Sequence, residues 1–183
     1  MEARVTEWKN RLEAVTKAVQ AEFGDLHEEK LNWKPDEKTW SIAQNLDHLI
    51  TLNASYYPVL EAALAGEQRL PWTAKVGFLR RFFGKMILNS VEPQRTKKMR
   101  TFPIWEPKKS ELPGTIVADF VAHQQQFWAA LEQALPLLDR RTVIASPANA
   151  NIIYELPTFF DIVITHEERH LNQAREVLAN LPK

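Results

Sequence analysis

The hydrophobic positions of this 183-residue chain recur at steps of three and four through most of its length. Val5, Trp8, Leu12, Val15, Val19 and Phe23 form one such stripe, and predict a core-facing helix over residues 3–23. Gly24 and Asp25 punctuate it, and Trp33-Lys34-Pro35-Asp36 reads as a loop, because the residue before proline is pushed out of helical space. A second helix opens at Ser41-Ile42-Ala43-Gln44, an S-x-x-Q capping box. It runs through Leu46, Leu49, Ile50, Tyr57 and Leu60 to about Gly66, with a kink expected at Pro58.

The next stretch is a long crossover. Residues 67–114 hold Pro71, Pro93, Pro103, Pro107 and Pro113, with one helical run, KVGFLRRFFGKMIL, between the first two. A third long helix starts near Thr115 and buries Ile116, Phe120, Phe127, Leu131 and Leu135. After a loop around Pro147-Ala148-Asn149-Ala150-Asn151, Pro157 suits the first turn of a final helix carrying Phe159, Ile162, Val163, Ala174 and Val177. Strand alternation is confined to Thr142–Ala145. Four long amphipathic helices with one extended crossover predict an all-α, single-domain helix bundle over residues 1–183.

Composition narrows the chemistry. The chain has no cysteine, so disulfides, thiolate zinc sites and a cysteine nucleophile are excluded, and a metal must be held by His, Asp or Glu. Net charge is zero but unevenly spread. Between Gly66 and Leu112 lie eleven Lys and Arg against four Glu, out of 23 basic and 23 acidic residues in all. A local basic segment in a neutral chain argues against a dedicated nucleic-acid binder. The N-terminal MEARVTEWKNRLEAV has no apolar h-region and no stretch reaches the length of a membrane span, so a cytoplasmic location is the expectation. KVGFLRRFFGKMIL could lie on a membrane surface, but the same pattern serves as a lid with a solvated basic rim, and no membrane contact is expected.

Candidate chemistry gathers at the C-terminal end. His166-Glu167-Glu168-Arg169-His170 matches H-E-x-x-H, the helical signature of zinc peptidases. At about 100° per residue, His170 lies roughly 40° from His166, and both fall inside the apolar stripe of Phe159, Val163 and Val177. Glu168, Arg169 and Asn172 face away on this wheel, and Glu167 reads as a solvated flank. Two inward imidazoles one turn apart have four ring nitrogens to satisfy in a dry interior, and a metal satisfies one of each pair. The peptidase context is missing. The downstream positions that would supply Gly and the third His hold Gln173 and Glu176, and the chain offers no sheet for a peptide to pair with.

A third ligand must come from elsewhere. His27 reads as a solvated loop residue and His123 as a solvated margin residue. His48 lies at the margin of an apolar arc formed by Leu49, Leu52, Tyr56 and Val59. That position suits a ligand in a site that opens to solvent, and equally an ordinary surface histidine.

Trp33-Lys34-Pro35, then Trp40-Ser41, then His48-Leu49, followed near the C-terminus by His166, His170 and Gln173, resembles the signature of the DinB-like (DinB/YfiT) family. The resemblance spans nearly the whole chain in order and spacing. It implies an up-down-down-up four-helix bundle with a long connection between the middle helices, here containing an extra helix. It also implies one divalent metal, zinc or nickel, bound by His48, His166 and His170. The family includes transferases of low-molecular-weight thiols such as bacillithiol or mycothiol, so transfer of such a thiol to a small electrophile is the expected activity. The alternatives are hydrolysis through a metal-bound hydroxide, with Glu167 as base, and a non-enzymatic metal-binding or stress protein. Expected partners are a small-molecule substrate and a second copy of the chain in a homodimer, without nucleic acid. The basic crossover from Lys75 to Lys109 is the expected rim of the pocket.

Overall fold

The computed structural model describes residues 1–94 and 101–182. In chain order its helices are α1 (Glu2–Phe23), α2 (Glu28–Asn32), α3 (Ile42–Ser55), α4 (Tyr57–Ala65), α5 (Gly77–Ser90), α6 (Ile116–Ala134) and α7 (Leu156–Ala179). A hairpin of β1 (Val143–Ser146) and β2 (Asn149–Glu155) precedes α7.

The periodic stripes fold as their spacing dictates. α1 buries Trp8, Leu12, Val15, Val19 and Phe23. Ser41 caps α3 as a full capping box: its Oγ accepts from Gln44 N at 3.1 Å while Gln44 Oε1 accepts from Ser41 N at 3.2 Å. The predicted kink is a complete break. Pro58 can neither donate to the carbonyl four residues back nor tolerate its approach, so α3 ends at Ser55 and α4 begins with Pro58 in its first turn. α4 stops at Gly66, whose φ of 72° is the left-handed cap position that a side chain would strain.

Contacts along the helices fix the directions. Trp8 meets Asp161, Arg11 meets Glu168 and Glu22 meets Arg175, so α1 and α7 run parallel. Asn45 meets His170, and His48 meets His166, so α3 runs antiparallel to α7. The early residues of α3 and α6 share one core cluster, Leu46 and Leu49 with Ile116 and Phe120. The later α3 residues Leu52 and Tyr56 share the other with Phe127 and Leu131 of α6. The middle helices therefore run together, and the bundle is up-down-down-up.

Two features depart from the sequence reading. A short helix, α2, forms in the first loop, and its Asn32 clamps the end of the crossover: Nδ2 donates to Leu112 O at 2.7 Å and Oδ1 accepts from Leu112 N at 2.9 Å. The expected loop around Asn149–Asn151 is instead the start of β2, which pairs with β1 in the register Val143↔Glu155, Ile144↔Tyr154 and Ala145↔Ile153, with a bulge between Ala145 and Ser146. Ile152, Ile153 and Tyr154 are all buried, so this strand is covered on both faces and shows no alternation.

α5 packs on β2 and α7. Its Gly84 lies so close that a Cβ there would sit 2.9 Å from Thr158 Cγ2. A glycine is therefore what lets the crossover helix seat against the bundle.

Candidate metal centre

His48 from α3 and His166 and His170 from α7 converge at the middle of the bundle. One ring nitrogen of each lies within 4.8 Å of the others, so the group could hold a metal ion. Nε2 of His166 is 3.5 Å from Nε2 of His48 and 3.0 Å from Nε2 of His170. Metal–nitrogen bonds of about 2.0–2.1 Å at tetrahedral angles hold neighbouring nitrogens roughly 3.3 Å apart, so the spacing fits a shared ion.

The surrounding groups set the tautomers. His48 Nδ1 donates to the Trp105 carbonyl at 2.7 Å. His170 Nδ1 donates to Asn45 Oδ1 at 2.7 Å, and Asn45 is itself oriented by donating from Nδ2 to the Ser41 carbonyl at 2.8 Å. With Nδ1 protonated in both rings, each Nε2 presents its lone pair to the centre, which is how ligand histidines are usually braced. Burial pushes the His48 imidazole down to about 4, against the opposing pull of the Trp105 carbonyl. His166 and His170 are held well below the usual histidine range by burial, then by their imidazole neighbours and Arg169. All three rings are thus neutral, and available as ligands, at physiological pH.

The nitrogens open on a cavity of about 810 Å³. Toward the C-terminal end of α3 its wall is formed by Leu52, Tyr56, Ile152, Tyr154 and Ile162. In the other direction it is formed by Lys38, Thr39, Trp40, Gln173 and Asn180. Tyr56 and Tyr154 share a hydroxyl–hydroxyl hydrogen bond of 2.5 Å. Burial raises both phenols, so both stay protonated. The crossover closes the cavity with Ile87, Ser90, Val91, Phe102 and Trp105.

Several sequence expectations need correction. His48 is not marginal: it is 1% exposed, because Trp40 packs 4.9 Å from its ring and the Pro103–Trp105 turn covers it. His123 is buried too, with Nε2 unpartnered among the described residues, and burial pushes it down to about 4. Arg169 does not face away. It is buried, donates from Nη1 to the Glu92 carbonyl at 2.7 Å, and reaches the cavity wall.

Glu167 is the largest departure. It is fully buried on the side of α7 away from the cavity, where Oε1 accepts from Asn53 Nδ2 at 2.7 Å and Oε2 from Gln124 Nε2 at 2.6 Å. Burial raises its carboxyl to about 8 in spite of both amides. The sequence signal for it was present but indirect: Asn53 and Gln124 are amides placed among apolar positions of α3 and α6, where a buried polar group needs them as partners.

The expected basic rim is also revised. The crossover does wall the cavity, but among the described residues the positive charges on the wall come from Lys38 and Arg169, not from Lys75, Arg80, Arg81, Lys85, Lys108 or Lys109. Arg95, Lys97, Lys98 and Arg100 lie outside the described residues. His27, as expected, is exposed.

A helical bundle that turns three neutral imidazoles into a central cavity defines a class of protein in which a cluster that could hold a metal ion lies between the second and last long helices. The chain belongs to the DinB superfamily, whose family model matches residues 11–174. No curated protein and no solved structure matches it significantly.

Proposed function

We propose that the chain is a metal-dependent transferase that joins a low-molecular-weight thiol to a small electrophile, with zinc or nickel held by His48, His166 and His170. The observation that carries this reading is that the three-nitrogen face borders a large cavity and is not sealed by a fourth ligand side chain among the described residues. A divalent ion there would supply a Lewis acid that favours the thiolate form of a bound thiol. The chain contains no cysteine, so the sulfur would arrive with the cosubstrate.

The protein's own groups divide the remaining work. Lys38 and Arg169 bring positive charge to the cavity wall and suit the carboxylates that such thiols carry. Trp40, Phe102 and Trp105 exclude water around the imidazoles. The Tyr56–Tyr154 pair can donate a hydrogen bond to an electrophile lying against Leu52, Ile152 and Ile162. In the reaction the thiol gives up its proton to solvent water, sulfur forms a bond to the electrophilic carbon, and the leaving group departs as an anion with the electron pair of the broken bond.

Metal-dependent hydrolysis is the rival reading, and the place of Glu167 weakens it. Both carboxylate oxygens face amides away from the cavity, so the H-E-x-x-H glutamate is not positioned as a general base. The metal-loaded protein is to be assayed with bacillithiol, mycothiol and glutathione against a chlorodinitrobenzene-type or bimane acceptor. Turnover above the uncatalysed rate, lost in His48→Ala, is the expected result. Turnover of an ester or amide panel without any thiol would replace this reading with hydrolysis, and no turnover in either arm would leave a non-enzymatic metal protein.

A further inference from the structure

Six of the eight exposed large hydrophobic side chains among the described residues belong to the crossover: Trp72, Phe78, Phe82, Met86, Phe102 and Ile104. The exposures are large, 75% for Trp72, 65% for Phe78 and 52% for Phe82. α5 turns one side inward, with Gly84 buried against Tyr154 and Thr158 and Ile87 walling the cavity. Its outer side alternates apolar and basic residues. At about 100° per residue, Phe78, Arg81, Phe82, Lys85 and Met86 share an arc of roughly 140°, and all five are exposed, as is Lys75 just before the helix. α5 contains no acidic residue.

We infer that this outer face of α5, with Trp72, docks the protein on an anionic lipid surface. Aromatic and long apolar side chains interleaved with Lys and Arg are what an interfacial helix presents, the former entering the headgroup region and the latter meeting lipid phosphates. Anchoring is peripheral, since no helix among the described residues is long and apolar enough to cross a membrane. The sequence alone weighed against membrane contact because the same pattern can serve as a lid. The structure lets α5 do both, since lid and docking face are opposite sides of one helix.

Charge argues against the two other occupants of such a face. A two-fold pairing of two copies would set Arg81 and Lys85 of one against those of the other, with no carboxylate on α5 to separate them. A single-stranded nucleic acid needs a groove that tracks its backbone with cations, whereas these cations stand on a convex helix between aromatic rings.

The test is co-sedimentation of the full-length protein with vesicles of phosphatidylcholine alone and of equimolar phosphatidylcholine and phosphatidylglycerol. Binding to the mixed vesicles, weakened by salt and weak on neutral ones, is the expected result. Arg81→Glu with Lys85→Glu should lower the partition coefficient by roughly 25-fold or more, at about fivefold for each basic residue removed. Phe78→Ser with Phe82→Ser should weaken binding by a comparable factor while circular dichroism and thermal midpoint stay unchanged. Equal binding to both vesicle types, no binding, or retention by the variants overturns the inference. So does displacement by soluble glycerophosphoglycerol or an oligonucleotide, or a dimer in sedimentation equilibrium that the same substitutions dissolve.

Discussion

His123 offers a test of the interior that is independent of any metal. Its ring is 7% exposed, stacks nearly flat on Phe127 with centroids 6.0 Å apart, and among the described residues has the Tyr57 hydroxyl, 3.4 Å from Nδ1, as its one hydrogen-bonding neighbour. Burial lowers its pKa from 6.5 to about 4. In the unfolded chain the imidazole takes up a proton below pH 6.5, while in the folded protein it refuses one until about pH 4. The unfolded state therefore binds more protons in that window, and the stability associated with the neutral ring is present above pH 6.5 and lost as the pH falls toward 4. The full separation corresponds to roughly 3 kcal/mol, and water at the ring's edge reduces this to about 2 kcal/mol. His123→Leu should keep the packing on Phe127 and remove the titration. Urea unfolding of both proteins, stripped of metal, at a series of pH values should show the leucine variant gaining about 2 kcal/mol relative to wild type between pH 7.5 and 4.5. The ligand histidines titrate in the same direction but are common to both proteins, so the difference isolates His123. Two curves that run parallel through that window would mean that the imidazole is solvated, and that the buried placement is wrong.

Two further outcomes bear on the centre and its scaffold. Protein purified without a histidine tag should carry about one equivalent of divalent metal by elemental analysis, lost in His170→Ala and kept in His123→Leu. Asn45→Ala should weaken metal retention by about 10–100-fold in chelator competition, because the brace on His170 Nδ1 is gone. Ser41→Ala should cost about 1 kcal/mol in chemical unfolding with metal stoichiometry unchanged, and a loss indistinguishable from zero would refute the role of the capping box.

What the sequence revealed and what it concealed have one physical origin. Period and punctuation are local, so the stripes of α1, α3, α6 and α7, the Ser41 box, a disturbance at Pro58 and the helix start at Pro157 could be read directly, although the kink expected at Pro58 is a full break. The inward pair His166 and His170 was visible on a helical wheel, whereas His48 came from family likeness, its own position suiting a surface histidine equally well. A wheel assumes one buried face. α7 is packed by α1, α3, α5 and β2 around much of its circumference, so Glu167 and Arg169, on flanks that a wheel leaves to solvent, are buried as well. β2 was missed for a related reason. Ile152-Ile153-Tyr154 is covered on both sides and carries no period of two, although its β-branched and aromatic residues, facing Val143 and Ile144 across turn-forming residues, were the available signal. The Trp105 carbonyl on His48 is a backbone contact from an irregular segment, and no side-chain pattern announces it.

The buried polar groups are not scattered through the interior. Along α6 and α7 they gather near mid-helix, as His123, Gln124, His166, Glu167 and His170, and α3 sets Asn45, His48 and Asn53 against them. Along α6 and α7 one apolar cluster lies on each side of these groups: Phe120 and Leu171 on one, Phe127 and Phe159 on the other. A band of polar groups through the centre of a small bundle is destabilising unless its members satisfy one another. Here most of them do so, on two sides of α7, while Asn53 Oδ1, Gln124 Oε1 and His123 Nε2 have no partner among the described residues. Toward α6, Glu167 takes two amides; toward α3, the imidazoles are braced by Asn45 and the Trp105 carbonyl while their remaining nitrogens point at one another. The lone pair of His166 Nε2 meets those of His48 and His170 at 3.5 and 3.0 Å, an arrangement that repels unless a cation or a proton lies among them. The apolar clusters supply most of the burial that closes the bundle, and the polar groups supply the atoms that can bind. That division of labour lets the candidate metal site lie at mid-bundle and still open to a cavity, with the crossover helix α5 as part of its cover.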